Sequence, residues 1–484
     1  MSNINKIYIE QDVLNQQKKI IDRIRENNEI EYHKNGKDKF YQIITYGCQQ
    51  NNADSEILKG MLQEMGYIQT EDNENADIII FNTCCVRENA ELKLYGNIGA
   101  LKNLKKNKPE LIIGVCGCMM QQKHAVETIR KKYRHVDLIF GTHNVYKFPQ
   151  LLEKSLNEKY TLIDVLDSEG VIIENLPVVR EDKHKAWITI MYGCNNFCSY
   201  CIVPYVRGRE RSRKPQDIID EIKSLADDGC KEVTLLGQNV NSYGKDLEEI
   251  CDFSDLLCLV NDIEGIERIR FMTSHPKDIS DKLILTMKNC KKICEHLHLP
   301  FQSGSTKILN LMNRKYTKEE YLKKVEKVRM EIPDIALTTD IIVGFPGENN
   351  GDFEETLDIV NKVQFDQAFT FIYSKRKGTP AAEMNDVLDE DEKHVNFEKL
   401  IEMQNEISRK INDTYLGKIV EILVEGPSKN NPKRLTGRTR TGKIVNFNGK
   451  NINPGELVYV KITEVFSWSL IGELVSDELY KNRS

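Results

Sequence analysis

The chain has 484 residues, of which 40% are hydrophobic and 29% charged, and its formal net charge is −6. This length predicts roughly two to four domains, and the composition favours a globular protein that buries several hydrophobic cores. The acidic balance excludes a chain that is basic throughout, so nucleic-acid binding would depend on local patches. No apolar run approaches the roughly 18 residues that a membrane helix needs, and the start, MSNINKIYIEQD, does not look like a signal peptide. We therefore expect a cytoplasmic protein without membrane association.

The cysteine content is informative, because the sequence contains 13 cysteines. An odd number in a chain without a secretion signal argues against a disulfide framework, since the cytosol keeps thiols reduced. Clustered cysteines in such a protein more often bind metal or take part in chemistry. Their positions relative to the predicted strands and helices are followed below in chain order.

Residues 1–38 are polar and charge-rich. The spacing of Ile20, Ile21 and Ile24 predicts an amphipathic helix in this segment. We interpret it as a polar leader or surface helix, to which the sequence assigns no chemistry.

From residue 39 onward, apolar strands alternate with helices, the first of which is predicted at 53–66. This alternation predicts a parallel sheet covered on both faces, and hence a doubly wound α/β domain at 39–157. The predicted strands are 40–47, 76–83, 111–117 and 136–141.

Three cysteines directly follow the first three of these strands, namely Cys48, Cys84 and Cys118. The carboxyl ends of parallel strands meet at one edge of the sheet, so we expect these thiols to converge. Three convergent thiolates suit an iron–sulfur cluster with one iron left open. Strand alternation points Cys116 the other way, which favours Cys118 as the ligand. The alternative is that these cysteines, with Cys85, are buried structural thiols.

Residues 158–183 lack a strong helix signal and are predicted to be a connection. A second alternation of strands and helices follows, which predicts a partial or complete β/α barrel within 180–412. Its predicted strands are 186–193, 231–238, 268–273, 295–301, 335–345 and 365–374.

The stretch GCNNFCSYC directly follows the first predicted barrel strand and contains Cys194, Cys198 and Cys201. Barrel enzymes place their chemistry on such loops, at the carboxyl ends of the strands. Three thiolates fit three corners of a cubane iron–sulfur cluster and leave one iron open for a reaction. The alternatives are buried thiols or a zinc knuckle, but zinc would need a fourth ligand and no His or Cys follows closely.

A basic run, VRGRERSRK at 206–214, comes next, and its five basic residues minus Glu210 give a local charge of +4. Such a run is often a solvated helix face. Its place beside the predicted active site also favours phosphate contacts, which we assign to Arg207 and Arg209.

After a helix-like run at 389–412, short strands broken by Gly, Pro and Asn predict a small all-β barrel at 415–478. Within it, residues 426–461 carry eight basic residues and one acidic residue, so that eight minus one gives +7. A basic barrel in an acidic chain predicts a surface that binds RNA. The RNA-binding residues that we predict there are Lys433, Arg434, Arg438, Arg440 and Lys443.

The stretch CNNFCSYC resembles the cluster motif of radical S-adenosylmethionine (SAM) enzymes. The resemblance implies that SAM chelates the open iron of a [4Fe-4S] cluster, and that one electron then releases a deoxyadenosyl radical. It also implies that Tyr200 packs near the adenine of SAM. Later strand ends, LLGQNVNSYG, HLPFQSGS and DIIVGFPGE, are similar to those of the family. The residues that this implies in the SAM and substrate pocket are Gln238, Ser303 and Gly344.

From about residue 39 to 478, the chain resembles the methylthiotransferase branch of this family. Cys48, Cys84 and Cys118 match the cysteines of its auxiliary cluster, and the C-terminal barrel matches its RNA-binding TRAM domain. Many members have Ser after the second of these cysteines, where this chain has Cys85. The resemblance implies two [4Fe-4S] clusters and SAM as cofactors.

The stretches LLGQNVNSYG and FNTCCVRENAE are similar to the branch that acts on transfer RNA with an isopentenyl-type adenosine beside the anticodon. This implies an enzyme that adds a methylthio group to C2 of N6-(dimethylallyl)adenosine at position 37. We expect that base to leave the anticodon-loop stack for a pocket between the first two domains. One SAM would methylate sulfur at the auxiliary cluster, and a second would yield the radical that removes hydrogen from C2.

The partners implied are the transfer RNA and a flavodoxin- or ferredoxin-type electron donor, and we expect a monomer; the sequence does not identify the sulfur donor. Three alternatives stay open. The substrate could be threonylcarbamoyl adenosine in transfer RNA or an aspartate of a ribosomal protein. The third alternative is an iron–sulfur or zinc RNA-binding protein that is not an enzyme.

Overall fold

The computed structural model describes residues 8–85, 88–158, 160–166 and 170–475. The chain divides into two compact units, each of which is described by itself. Every helix in the described ranges is too short or too polar to cross a membrane. The first unit contains Met1–Glu181, Met191–Asn195 and Cys201–Arg213, and the second contains Asp182–Ile190, Asn196–Tyr200 and Lys214–Ser484.

The helices are labelled in chain order. They are α1 (Gln11–Asn35), α2 (Gln49–Glu64), α3 (Glu88–Asn107), α4 (Lys123–Lys132), α5 (Phe148–Asn157), α6 (Val203–Arg207), α7 (Pro215–Asp227), α8 (Phe253–Asn261), α9 (Asp281–Asn289), α10 (Thr306–Leu311), α11 (Lys318–Glu331), α12 (Asn350–Val363) and α13 (Glu390–Asp413). Short 3-10 helices lie between them at Cys118–Gln121, Thr142–Lys147, Val240–Ser242, Pro276–Asp278 and Pro380–Glu383.

The strands are labelled in the same way. They are β1 (Lys39–Tyr46), β2 (Tyr67–Gln69), β3 (Ile78–Thr83), β4 (Ile112–Gly117), β5 (Leu138–Phe140), β6 (Leu162–Asp164), β7 (Lys185–Thr189), β8 (Met191–Tyr192), β9 (Arg211–Ser212), β10 (Glu232–Leu236), β11 (Arg268–Phe271), β12 (His296–His298), β13 (Ala336–Val343), β14 (Gln367–Ile372), β15 (Ile419–Ser428), β16 (Asn431–Thr439), β17 (Ile444–Asn448), β18 (Leu457–Val465) and β19 (Leu470–Val475).

The first unit is built on a parallel sheet with the strand order β2-β1-β3-β4-β5-β6. The order reverses at β1, because the chain runs to opposite sides of that strand, as the doubly wound prediction requires. The four predicted strands are present. The edge strands β2 and β6 were not predicted, since each has only three residues, and β6 falls in a segment expected to be a connection.

Helices cover both faces of this sheet, and β3 shows why the sequence folds in this way. Ile78 and Ile80 pack with buried residues of α1, α2 and α5 on one face. Ile79 and Phe81 pack with residues of α3 and α4 on the other. Successive side chains of a strand point to opposite faces, so a strand that is apolar throughout has two buried faces. The apolar run in the sequence therefore places β3 in the centre of the unit.

The predicted N-terminal helix is α1, whose Ile21 and Ile24 are buried in the core of the first unit. Helix α2 begins at Gln49, four residues before the predicted start at 53. Cys48 is its N-cap residue, and Asn51 completes a capping box with it. The cap consists of polar residues, so the spacing of apolar residues did not predict it. It places Cys48 at the N-terminus of the helix.

The second unit contains six parallel strands whose order in space is the same as their order along the chain. They are β7, β10, β11, β12, β13 and β14. Two sheets form this array, with the orders β11-β10-β7 and β12-β13-β14. A parallel bridge between Ile269 and Ile293 joins β11 to the residues before β12. The prediction of a partial β/α barrel is confirmed, and all six strands coincide with predicted ones.

Helix α13 leads into the C-terminal part of the second unit, which is a closed barrel with the strand order β15-β16-β17-β19-β18. Its interior is filled by alternate apolar residues, among them Ile422, Val445, Phe447 and Ile462. The prediction of a small all-β barrel is therefore confirmed.

Ion pairs join this small barrel to the β/α barrel within the second unit. The buried guanidinium of Arg268 donates to Glu421 Oε1 at 2.8 Å and to the carbonyl of Arg438 at 2.7 Å. Arg440 forms a two-point pair with Glu295, at 2.8 Å and 2.7 Å. Paired guanidinium groups hold planar carboxylates with defined geometry, so these contacts fix how the small barrel sits in its unit.

Candidate functional site

The first candidate site lies at the carboxyl edge of the sheet in the first unit. Cys48 lies two residues after the end of β1, Cys84 follows β3 and Cys118 follows β4, and these three strands are neighbours in the sheet. The amide of Cys84 donates to the carbonyl of Tyr46 at 2.8 Å, which ties it to the end of β1. Cys84 and Cys118 are buried, whereas Cys48 is exposed. The structure thus brings these sequence-predicted residues to one edge.

Two features of the strand ends make room for this arrangement. Gly117 has φ +98°, and a Cβ atom there would lie 2.4 Å from the carbonyl oxygen of Thr83. Only glycine allows β4 to turn in this way immediately before Cys118. A buried amide network joins the strand ends, because Asn51 donates to Asn82 Oδ1 at 3.1 Å and Asn82 donates to the carbonyl of Asn51 at 2.8 Å. Sequence reasoning missed both asparagines; a polar Asn82 at the end of the apolar strand IIIFNT was the available signal.

The adjacent pair Cys84 and Cys85 reaches two partners. A hydrogen bond from Cys84 lowers the pKa of Cys48 to about 5. A hydrogen bond from Cys85 lowers the pKa of Cys118, although burial of that thiol acts in the opposite direction. The same hydrogen bond and burial raise the pKa of Cys85. All four thiols therefore form one group, and the choice of Cys84 over Cys85 as a ligand stays a prediction.

Arg207 lies beside this group. Its Nε donates to Cys118 Sγ at 3.1 Å, and its Nη2 donates to Asp54 Oδ2 at 2.7 Å. Asp54 raises the pKa of this guanidinium, against the effect of burial. Arg207 is buried at the end of α6, whereas Arg209 is exposed. The predicted phosphate contacts of these two residues stay predictions, and the structure separates the two positions.

The second candidate site includes Cys194, Cys198 and Cys201, which follow β7 and β8 along the chain. In the first unit, the amide of Cys194 donates to the carbonyl of Gly208 at 3.2 Å. In the second unit, Cys198 accepts a hydrogen bond at 3.4 Å from Nη1 of the buried Arg314. The chain around Cys198 is held by Ser199, whose hydroxyl donates to the carbonyl of Leu311 at 2.7 Å.

Tyr200 and Gly344, two predicted pocket residues, lie near each other in the second unit. The ring of Tyr200 meets the ring of Phe345 edge-on, with 6.4 Å between centroids. Gly344 has φ +70°, and a Cβ atom there would lie 2.5 Å from Cγ of Lys393, so the position requires glycine. Arg314 connects this region to the cysteine, because its Nη1 also donates to the Tyr200 hydroxyl at 3.4 Å.

Gln238 and Ser303 follow other strands of the same barrel. Ser303 is buried, and its hydroxyl accepts a hydrogen bond from the amide of Ser305 at 3.3 Å. Gln238 Oε1 is buried, and within the described part of the chain it has no hydrogen-bond partner. Buried polar atoms without partners are uncommon and are often satisfied by a ligand or water.

Several more such atoms lie after the strands of this barrel. Those of Asn239, Asn241 and Glu348 fall within stretches predicted to line the pocket, whereas sequence reasoning missed Ser274 and His275. Glu348 follows the Gly344 turn, and burial raises its pKa to about 7. Atoms that lack a hydrogen-bond partner among the described residues include Asn239 Oδ1, Asn241 Nδ2, Ser274 Oγ, His275 Nε2 and Glu348 Oε1. A set of unpaired donors and acceptors at the carboxyl ends of barrel strands fits a polar ligand such as SAM.

The cysteine trios fit iron–sulfur clusters by the chemistry of their donors, since cysteine thiolates are the usual ligands. Across the described ranges, no group of three or more His, Cys, Asp or Glu side chains is arranged around a single metal ion position. A cubane cluster makes a different demand, because each cysteine binds a separate iron corner. The trios supply the three sulfur donors that each such cluster would need.

The predicted RNA-binding residues of the small barrel fall into two groups. Arg438 pairs with Glu425 at 3.0 Å, Arg440 with Glu295, and Lys443 with Asp366 at 2.7 Å. Lys433 is exposed and Arg434 is half-buried, and neither side chain has an ion-pair partner among the described residues. Contact with RNA stays a prediction for all five, but only the second group is free of protein carboxylates.

Comparison with known proteins defines the class. Residues 188–360 match the radical SAM superfamily, residues 40–141 match uncharacterized protein family UPF0004, and residues 413–475 match the TRAM domain. The fold is similar to that of the radical SAM methyltransferase TsrM from Kitasatospora setae with cobalamin and a [4Fe-4S] cluster bound. That likeness has a TM-score of 0.52 and 13% identity, and covers 72% of this chain and 77% of that chain. Fold and motif together define a radical SAM protein.

Relatives that match over nearly their whole length narrow the class. The chain is 59% identical over 469 residues to tRNA-2-methylthio-N(6)-dimethylallyladenosine synthase from Acetivibrio thermocellus. The match covers 97% of this chain and 98% of the relative. The chain is 57% identical over 478 residues to the synthase of the same name from Clostridioides difficile, which covers 99% of this chain and 100% of the relative.

The chain therefore belongs to the tRNA-2-methylthio-N(6)-dimethylallyladenosine synthase family, whose members are radical SAM methylthiotransferases. The predicted family, the enzyme class and the cofactor class of SAM with [4Fe-4S] clusters are confirmed.

Proposed function

We propose that this protein adds a methylthio group to C2 of N6-(dimethylallyl)adenosine at position 37 of transfer RNA. The observation that carries the proposal is the pair of cysteine trios, each after strands of a separate parallel sheet. A single trio would suffice for SAM cleavage alone, whereas transfer of sulfur calls for a second place that holds it. The family relatives named above support the choice of substrate.

Each trio has its own role in the proposal. Cys194, Cys198 and Cys201 hold the SAM-cleaving cluster, and Cys48, Cys84 and Cys118 hold the auxiliary cluster. When bound, these [4Fe-4S] clusters supply the electron that cleaves SAM and the site that carries the sulfur to be transferred. The chain itself provides the thiolate ligands and keeps Cys84, Cys118, Cys194 and Cys198 buried away from water.

The remaining pocket residues bind and orient SAM. Tyr200, Gln238, Ser303 and Gly344 contact it in the proposal, the last of them through its buried backbone. Asn239, Ser274, His275 and Glu348, whose buried atoms lack hydrogen-bond partners among the described residues, give polar partners for its amino acid and ribose groups. We add these four residues to the predicted set, because burial of unpaired polar groups is costly unless a ligand satisfies them.

We further propose the functional parts of the chain. Residues 39–157 carry the auxiliary site, 180–412 form the radical SAM core and 415–478 bind RNA. The predicted polar leader, 1–38, contains α1, which packs Ile21 and Ile24 into the core of the first unit. The matched ranges of the three family models support this division. The electron donor is a flavodoxin- or ferredoxin-type protein, and the enzyme is a cytoplasmic monomer in this proposal.

On the small barrel, Lys433 and Arg434 make the phosphate contacts, while Arg440 and Lys443 hold the barrel in its unit. We expect Lys433→Ala to weaken binding of unmodified transfer RNA and to reduce the slope of log K against log salt by about 0.7–0.9, the loss of one phosphate contact. Fluorescence anisotropy titrations at several salt concentrations measure this slope.

Lys443→Ala is the matched control, because it removes the same charge from the same barrel. It leaves Asp366 without its ion pair, so we expect a loss of roughly 1–3 kcal/mol in the free energy of unfolding and an unchanged salt slope. Equal slopes for both variants would contradict the assignment of Lys433 to RNA contact.

Mass spectrometry of transfer-RNA nucleosides tests the proposed function. Cells that lack the protein should accumulate N6-(dimethylallyl)adenosine and lose its 2-methylthio derivative, and the full-length gene should restore that derivative. Loss of 2-methylthio-threonylcarbamoyl adenosine instead would identify the other nucleoside as substrate. Unchanged nucleosides, with an unmodified ribosomal-protein aspartate, would overturn the proposal in favour of a protein substrate.

A further inference from the structure

Arg207 is a buried cation with two anionic or polarisable partners. Only 5% of the residue is exposed, and its Nη2 donates to Asp54 Oδ2 at 2.7 Å. The neighbouring Nε donates to Cys118 Sγ at 3.1 Å. A buried guanidinium is costly unless its donors are paired, and the side chain here uses two of its edges at once.

The local structure holds Arg207 firmly in this position. Val206 on the same short helix and Ile202, the residue before it, pack into the core that includes Cys85, Cys118 and Met119. The main-chain carbonyl of Arg207 accepts hydrogen bonds from Nη1 and Nη2 of Arg211, at 3.2 Å and 3.3 Å. Because its backbone is fixed from both sides, the guanidinium is pre-organised toward the sulfur.

A contact with RNA phosphate does not fit this environment. Reaching a phosphate would require Arg207 to leave Asp54, whose side chain is itself mostly buried. Arg209, two residues further along the chain, carries the same charge on an exposed side chain. The basic run 206–214 therefore combines residues with different environments, although its sequence is uniform.

We propose that Arg207 is a positioning residue for the auxiliary cluster. Its guanidinium donates a hydrogen bond to the Cys118 thiolate and orients that thiolate as a ligand. Asp54 in turn orients Arg207 and balances its charge. This inference rests on the proposed function, which assigns Cys118 as a ligand of that cluster.

A donor beside a thiolate ligand stabilises the more negative, reduced state of a cluster, since the extra electron strengthens the hydrogen bond. Removing the donor should lower the midpoint potential. At a fixed applied potential near the midpoint, we expect the oxidised-to-reduced ratio to rise about tenfold in Arg207→Met, the size of one charge-assisted hydrogen bond.

The experiment uses full-length protein in which Cys194→Ala, Cys198→Ala and Cys201→Ala leave only the auxiliary site. The parent and its Arg207→Met, Arg207→Lys and Arg209→Met derivatives are reconstituted anaerobically with iron and sulfide. Iron content is measured, and the cluster is titrated with dithionite, a one-electron reductant, under electron paramagnetic resonance. Binding of unmodified transfer RNA is measured in parallel.

We expect Arg209→Met, the charge-matched control, to keep the parental potential, and Arg207→Met to show a lower potential or to lose its iron while circular dichroism shows a folded chain. If Arg207→Met does not fold, the Arg207→Lys variant provides the test. Lysine keeps the positive charge but cannot donate to Asp54 and Cys118 from two edges of one planar group. A lowered potential in that variant supports the inference.

The inference would be overturned if the folded Arg207→Met variant kept the parental potential and iron content. Where Arg207→Met does not fold, the same result in Arg207→Lys would overturn it. Weakened RNA binding with no change in the cluster would point to a phosphate contact instead. A parent that takes up no iron would instead contradict the proposed function itself, since no auxiliary cluster would then exist. The two failures are therefore distinguishable in one set of proteins.

Discussion

Cys194→Ala is expected to abolish reductive cleavage of SAM, by more than about 10³-fold, because a residue that acts as part of a unit removes the activity of the whole unit. The variant would keep only two thiolates, those of Cys198 and Cys201. Two thiolates are too few to hold a cluster with one open iron. The measurement is the amount of 5′-deoxyadenosine formed from SAM and dithionite, quantified by liquid chromatography. Binding of transfer RNA should survive, since the basic surface of the small barrel is not altered.

Cys258→Ala is the control for this prediction. Cys258 is exposed on α8, its Sγ lies 3.8 Å from Cys290 Sγ, and it belongs to neither trio. This variant should form 5′-deoxyadenosine at the wild-type rate. If the Cys194→Ala variant cleaved SAM at the wild-type rate, the assignment of the SAM-cleaving site would be wrong.

Cys118→Ala is expected to separate the two halves of the reaction. The variant should still cleave SAM, because Cys194, Cys198 and Cys201 are unchanged, but it should form no 2-methylthio nucleoside in transfer RNA. Its iron content after reconstitution should fall from about eight to about four per chain, the loss of one cubane cluster. Nucleoside mass spectrometry and iron analysis of the same preparation measure both effects.

The chain offers a close control two residues earlier. Cys116 is buried within β4, but it packs on the opposite face of the sheet, with Ile80, Leu138 and Phe140. Cys116→Ala should therefore keep both clusters and both activities, at a modest cost in stability of about 1 kcal/mol. An equal loss of iron in Cys116→Ala and Cys118→Ala would show that the effect comes from the fold rather than from a ligand.

Strands and the positions of the cysteines could be predicted from the sequence for a definite physical reason. A strand buried on both faces is apolar along its length, as IIIF in β3 shows, and the chain must turn where that run ends. A cysteine placed just after such a run, like Cys84, lies at the carboxyl edge whatever the details of packing. Cys116 and Cys118 lie in different hydrophobic cores, as predicted, but the predicted reason was wrong. Residues two apart in a continuing strand share a face, and it is the turn at Gly117, with φ +98°, that separates the two cysteines.

Other features depend on contacts between distant residues, and the local pattern does not contain them. The strand β6 has three half-buried or exposed residues, and it exists because β5 offers it an edge. Arg207 and Arg209 carry the same charge, and contacts with the distant Asp54 and Cys118 distinguish the buried Arg207. Likewise, the pairing of Arg440 with Glu295 joins residues that lie far apart in the sequence.

Metal and spectroscopic analysis of one anaerobically reconstituted preparation tests the two-cluster arrangement most directly. Wild-type protein should bind about eight irons per chain, and Mössbauer spectra should show two [4Fe-4S] clusters. Removing either trio should leave one cluster and about four irons. A wild-type protein with one cluster, or a trio variant that keeps the full iron content, would contradict the assignment.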